Sequence, residues 1–109
     1  MAEPKPHPPR PLVVGANHRS SSMSLRDQLF MEEDQVPGFL ERLRDAGIDQ
    51  AIALSTCDRI EVQALHGDPE TAVGQIVEIM ASQAGVQAQE MEDQTYALTD
   101  DEAVRQIFM

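Results

Sequence analysis

Two runs of strand-forming residues, separated by five polar ones, constrain this chain more than anything else in it. Ala51-Ile52-Ala53-Leu54 is continuously apolar, whereas Ile60-Glu61-Val62-Gln63-Ala64 alternates apolar and polar residues. A continuous apolar run marks a buried strand, and a period of two marks a strand with one face on a core. The spacing predicts a hairpin whose connecting loop is Ser55 to Arg59.

The remaining elements fall around that hairpin. Leu12-Val13-Val14-Gly15 is short and β-branched, and a polar loop with Asn17 and three serines follows it, so a buried strand is expected there. A helical turn from Ser24 would carry Leu25, Leu29 and Phe30 inward. Asp34 with Pro37 then opens a longer helix whose Val36, Phe39, Leu40 and Leu43 share one face, with Gly47 ending it. Asp68 with Pro69 starts another helix, Val73, Ile76, Val77 and Met80 form its apolar stripe, and Gly85 stops it. After a polar stretch, Thr95-Tyr96-Ala97-Leu98 reads as a fourth strand. Thr99 and Glu102 have capping-box spacing before Ala103, Val104, Ile107 and Phe108, the start of an amphipathic helix.

Strand, helix, strand, strand, helix, strand is the order of an α+β, ferredoxin-like βαββαβ sandwich. The expectation is an antiparallel sheet with helices on one face and the start of a further helix at the C-terminus. A helix of about two turns buries little alone, so the natural chain is expected to continue past Met109. At 109 residues the chain has room for one core. Residues 1–11 hold five of the seven prolines and read as a disordered lead-in, with structure beginning near Leu12.

Charge and composition exclude several functions. Eight basic residues against nineteen acidic ones give a formal charge of -11, which disfavours a broad grip on a phosphate backbone. Any contact with an anionic partner is expected to be local and to use the N-terminal end, where Lys5, Arg10, Arg19 and Arg26 outnumber Glu3 and Asp27. The longest apolar run is too short to span a bilayer, and no apolar leader follows Met1, so a cytoplasmic protein without membrane partners is expected. There is no glycine-rich dinucleotide fingerprint, no phosphate loop and no metal-ligand spacing.

Ser55-Thr56-Cys57-Asp58-Arg59 is where chemistry is expected. It presents the only thiol with two hydroxyls, a carboxylate and a guanidinium where a buried strand surfaces. A neighbouring guanidinium favours thiolate over thiol, and a carboxylate opposes it unless the guanidinium is engaged with it. On residue types alone, packing as a small apolar filler is the commoner fate of a lone cysteine, and a surface ion pair with Asp58 or Glu61 is the commoner fate of Arg59.

Two stretches resemble the glutamyl-tRNA reductases, enzymes of the five-carbon route to 5-aminolevulinate and tetrapyrroles. They are Val14-Gly15-Ala16-Asn17-His18-Arg19-Ser20, with Arg26 following, and Ala53-Leu54-Ser55-Thr56-Cys57-Asp58-Arg59-Ile60-Glu61-Val62. The terminal Ala103-Val104-Arg105-Gln106-Ile107-Phe108 also fits, so the likeness runs from about residue 12 to 109 and covers only that family's N-terminal, ferredoxin-like domain. The resemblance implies that Cys57 attacks the aminoacyl ester of glutamyl-tRNA(Glu) and holds a glutamyl thioester. NADPH, bound by a later domain absent here, would reduce the thioester to glutamate-1-semialdehyde. It further implies substrate contacts from Thr56, Cys57, Asp58 and Arg59, with Arg59 pairing the glutamate carboxylate. A homodimer formed through a missing C-terminal region and handover of product to glutamate-1-semialdehyde aminotransferase are implied by the same likeness.

Two positions depart from the family pattern. Asp58 stands where the family usually has asparagine, and Gln106 where it usually has a catalytic histidine. Glutamine forms hydrogen bonds but does not shuttle a proton near neutral pH. These departures keep open an alternative, a non-catalytic or regulatory relative acting as a binding module. A generic cysteine hydrolase is disfavoured, because no second base motif accompanies the thiol. His18 is placed in a loop that the fold could bring near Cys57, whereas His7 and His66 have no company for chemistry. The acidic groups Glu32-Glu33-Asp34 and Asp100-Asp101 are expected at helix starts, where negative charge suits the dipole.

Overall fold

The computed structural model describes residues 8–108. Its elements are β1 (Arg10–Asn17), α1 (Met23–Leu29), a 3-10 turn (Glu33–Gln35), α2 (Val36–Asp45), β2 (Gln50–Ser55), β3 (Arg59–His66), α3 (Pro69–Ala84), α4 (Ala88–Asp93), β4 (Tyr96–Thr99) and α5 (Asp100–Phe108). The four strands form one sheet in the order β2-β3-β1-β4, every pair antiparallel. This is the expected α+β, ferredoxin-like arrangement.

The helix signals work as written in the sequence. Asp68 caps α3 by accepting a hydrogen bond from the Thr71 amide at 3.4 Å, Pro69 lies in the first turn, and Gly85 ends the helix at φ 73°. Gly47, at φ 92°, turns the chain after α2. Leu12, Val14 and Ala16 of β1 and Ile60, Val62 and Ala64 of β3 share a closed core with Leu25, Leu43, Ile76, Met80 and Met91 of the four preceding helices. Each fully buried aliphatic side chain there contributes about 1.5–3 kcal/mol.

Three features depart from the expectations. Strand β1 begins at Arg10, so Arg10 and Pro11, placed in the lead-in by the sequence, pair with His66 and Leu65. Residues 1–7 of that lead-in, His7 among them, lie outside the described residues. The polar stretch after Gly85 contains α4, a short helix that buries only Met91.

Third, α5 does not join the helical layer. It crosses the opposite face of the sheet, against β1 and β4, and buries Ala103 there. At its start Arg10 clasps Asp100 in a fork, Nε to Oδ1 at 2.9 Å and Nη2 to Oδ2 at 2.7 Å. Asp100 sits at φ 55°, a left-handed conformation that aspartate tolerates better than most residues. The clasp holds its carboxyl below the usual carboxylate range, and the same pairing raises Arg10. None of the helices among the described residues is long and apolar enough to cross a membrane.

Candidate active site

The β2–β3 turn is built on one hydroxyl. The Thr56 amide donates to the Arg59 carbonyl at 2.9 Å, and Thr56 Oγ1 accepts from the Asp58 and Arg59 amides at 3.3 and 3.1 Å. This Thr56 bonding pulls the loop tight and pushes Cys57 and Asp58 out to the tip, where both are exposed. Ser55 Oγ accepts from the Met31 amide at 2.9 Å and so ties the loop base to the segment after α1. Cys57 is therefore presented to solvent, which removes the core-filler reading.

Two cavities flank this loop and share Thr56. One, of about 370 Å³, is lined by Arg26, Asp27, Phe30, Thr56 and Cys57. The other, also about 370 Å³, is lined by Asn17, His18, Thr56, Asp58, Arg59 and Gln106. His18 thus opens onto the Arg59 side of the loop, not into the Cys57 cavity. Asn17 is held in place because its Oδ1 accepts from the Arg19 and Ser20 amides at 2.9 and 3.0 Å. His66 Nδ1 accepts from the Asp68 amide at 2.9 Å, a turn contact beyond the far end of β3.

Beneath Arg59 lies a buried polar cluster centred on Glu61. The alternation of β3 predicts a solvent-facing side chain at this position, yet Glu61 is 0% exposed because α5 covers that face. A buried carboxylate is tolerated only when its oxygens are satisfied. Here Gln63 Nε2 donates to Oε1 at 2.8 Å, while Tyr96 Oη at 2.5 Å and Gln106 Nε2 at 3.1 Å donate to Oε2. Arg59 Nε lies 3.9 Å from the same Oε2 and forms the only ion pair of Glu61 among the described residues.

Gly15 makes the cluster possible. It sits between Glu61 of β3 and Tyr96 of β4 in the sheet register. A β-carbon at Gly15 would lie 2.6 Å from Tyr96 Oη, 2.8 Å from Tyr96 Cζ and 2.9 Å from the Ile60 carbonyl oxygen. The missing side chain is the channel through which tyrosine reaches the carboxylate. Burial, and then the bond to Glu61, raise the Tyr96 hydroxyl above its ordinary value of 10.0, so it stays a donor.

Gln106 is positioned by the same carboxylate. Its amide nitrogen donates to Glu61, so the amide oxygen remains available to the cavity that Gln106 lines with Arg59. Of the site residues expected from sequence, Thr56, Asp58, Arg59 and Gln106 meet at one cavity, and Cys57 opens on the neighbouring one. The sequence names Glu61 only as a surface ion-pair partner for Arg59, whereas the pair forms with a buried Glu61, and it singles out neither Tyr96 nor Gly15 for the site. Their signal was the glycine opposite an acid in a strand pair, legible only once the register is known.

The fold and this loop invite comparison with known proteins. The profile of the family described as glutamyl-tRNAGlu reductase, N-terminal domain, matches residues 14–109. The glutamyl-tRNA reductase of Syntrophotalea carbinolica is 30% identical over 98 residues, covering 89% of this chain and 22% of that protein. That of Carboxydothermus hydrogenoformans is 33% identical over 98 residues with the same coverage, and that of Rhodospirillum rubrum is 45% identical over 58 residues, covering 53% of this chain and 14% of that protein. Among solved structures, glutamyl-tRNA reductase from Methanopyrus kandleri shares the fold at a TM-score of 0.59 and 22% identity, over 90% of this chain and 21% of that one. The chain spans about a fifth or less of the length of these relatives. It belongs to the glutamyl-tRNA reductase N-terminal domain family.

Proposed function

We propose that this chain is the acyl-capturing domain of a glutamyl-tRNA reductase, the enzyme that starts the five-carbon route to tetrapyrroles. The Cys57 sulfur attacks the ester carbonyl of glutamyl-tRNA(Glu). The bond from that carbonyl to the ribose oxygen breaks, a glutamyl thioester forms, and the thiol proton ends on the departing ribose hydroxyl. The observation that carries the reading is the exposure of Cys57 at the tip of a braced loop, with Arg59 at its base. Arg59 pairs the glutamate carboxylate, and Glu61, being buried and fully bonded, fixes where that guanidinium stands. Asp58 lines the same cavity and suits the substrate ammonium, which the Gln106 amide oxygen can also accept.

Reduction of the thioester to glutamate-1-semialdehyde needs hydride from NADPH. The described residues do not fit that cofactor: the turn after β1 is filled by Asn17 bonding to its own backbone, with no glycine-rich phosphate cradle. Cofactor binding, homodimer formation and handover to the aminotransferase are assigned to parts of the protein outside this sequence. The test is deacylation of glutamyl-tRNA by this chain: it should proceed with wild type and vanish with Cys57→Ala, and equal rates for the two would end the proposal.

A second reading, a binding or regulatory relative without catalysis, rests on Gln106, which lacks the proton chemistry of histidine. Gln106→His separates the two. Deacylation rising by a hundredfold or so, the usual worth of general acid–base help, supports a decayed site, and an unchanged rate supports a working one.

A further inference from the structure

The two cavities beside the loop differ in chemistry, and an ester has two sides to place. The cavity with Asn17, Asp58, Arg59 and Gln106 is lined by residues that all carry polar groups and suits an amino acid. The one holding Cys57 combines a cation, Arg26, with an aromatic ring, Phe30, that is 40% exposed. Arg26 Nε is the one buried side-chain polar atom without a hydrogen-bond partner among the described residues. Its guanidinium forms no ion pair among the described residues, although Asp27 lines the same cavity. Three other arginines are occupied: Arg10 by Asp100, Arg42 by Gln83 and Ser82, and Arg59 by Glu61. A half-buried guanidinium left unpaired beside a nucleophile is chemically suited to an anion.

We propose that the Arg26–Phe30 cavity receives the terminal nucleotide of the acyl-carrying strand, with a phosphodiester on the Arg26 guanidinium and the base against the Phe30 ring. Cations that hold phosphate and aromatics that stack on bases are the usual parts of a site for single-stranded nucleic acid. This inference rests on the acyl-capture reading, because the ester carbonyl must then stand at Cys57. The nucleotide lies on the Arg26 side of the loop and the glutamyl group on the Arg59 side, with Thr56 between them. The placement reconciles a chain of net charge -11 with a nucleic-acid substrate, since the grip is confined to one end nucleotide.

The experiment compares thioester formation at Cys57 from glutamyl-tRNA and from the α-ethyl ester of glutamate, which has no nucleotide, taking the ratio of the two rates. Arg26→Gln is expected to lower that ratio about tenfold, Arg26→Lys to restore part of it, and Phe30→Ala to lower it about tenfold. Arg59→Gln should slow both esters together and leave the ratio unchanged. Thermal melts confirm that each variant folds. An unchanged ratio in folded Arg26→Gln and Phe30→Ala overturns the nucleotide site while leaving acyl capture standing. Equal slowing of both esters by Arg26→Gln also overturns it, by making Arg26 an activator of the thiol. Wild type that captures from neither ester defeats the acyl-capture reading itself, and the nucleotide site with it.

Discussion

The two faces of the sheet are built on opposite rules. On one, Leu12, Val14, Val62 and Ile76 meet other apolar side chains in a closed core, and four helices cover them. On the other, a single helix, α5, lies over a buried glutamate, a tyrosine threaded past a glycine, and an open apolar cavity of about 510 Å³. Ile52, Leu65, Val104 and Phe108 line that cavity, and Phe108 is 84% exposed. The closed face holds the fold together by burial. The second face spends part of its surface on a polar cluster whose product is the placement of Arg59 and Gln106, and local rules of strand composition are broken there for that end.

If this division is right, damage to the two faces should separate. The largest effect is expected from Ile76→Ala in the closed core, which should cost about 2–5 kcal/mol in denaturant unfolding and lose helix content and Cys57 presentation in one transition. Next, Gly15→Ala forces a methyl group onto Tyr96 Oη and the Ile60 carbonyl, and should cost about 1–3 kcal/mol. In the still-folded fraction it should also slow acyl capture, because Tyr96, Glu61 and Arg59 move together. Stability loss with unchanged capture would break the link between the cluster and the site.

Tyr96→Phe is milder, with an expected loss of about 1 kcal/mol, and it sharpens the comparison through pH. The folded hydroxyl titrates above its ordinary value of 10.0, so its contribution is complete below that pH. As pH rises past 10.0 the unfolded chain ionises first, and stability falls until the folded hydroxyl ionises too. Tyr96 is the only tyrosine, so its phenolate absorbance reports this directly, and Tyr96→Phe should flatten the alkaline loss. The smallest effect belongs to the Arg10–Asp100 clasp, which is exposed. Asp100 titrates below the carboxylate range, so the clasp is intact above that range and weakens as pH falls through the folded value. Asp100→Asn should lower the melting temperature slightly at neutral and alkaline pH, where the clasp is present, and leave it unchanged at acid pH, where the wild-type carboxyl is already protonated.

The same division decided what could be read from sequence. Helix α3 was legible because Asp68, Pro69 and Gly85 are local signals, and the β2–β3 hairpin because its two apolar rhythms differ. Arg10 was missed because prolines surround it, although only register places it opposite His66. Helix α4 was missed because one buried residue, Met91, leaves no periodic stripe. Thr56, Cys57, Asp58 and Arg59 were found as neighbours in sequence, whereas Glu61 looks like any polar residue of an alternating strand until α5 is laid across it. Arg26 follows the first recognised stretch and belongs to the basic N-terminal end expected to meet an anionic partner, but the sequence does not single it out there, since its missing partner is a property of three dimensions.

Capture of the glutamyl group by a single sulfur is the claim to confront first. Intact-mass measurement of this chain after brief exposure to glutamyl-tRNA should show one added glutamyl group. Peptide mapping should locate it on Cys57, hydroxylamine should release it, and Arg59→Gln should diminish it. A chain whose mass is unchanged while wild-type folding is intact, or a glutamyl group found on any other residue, would contradict the account.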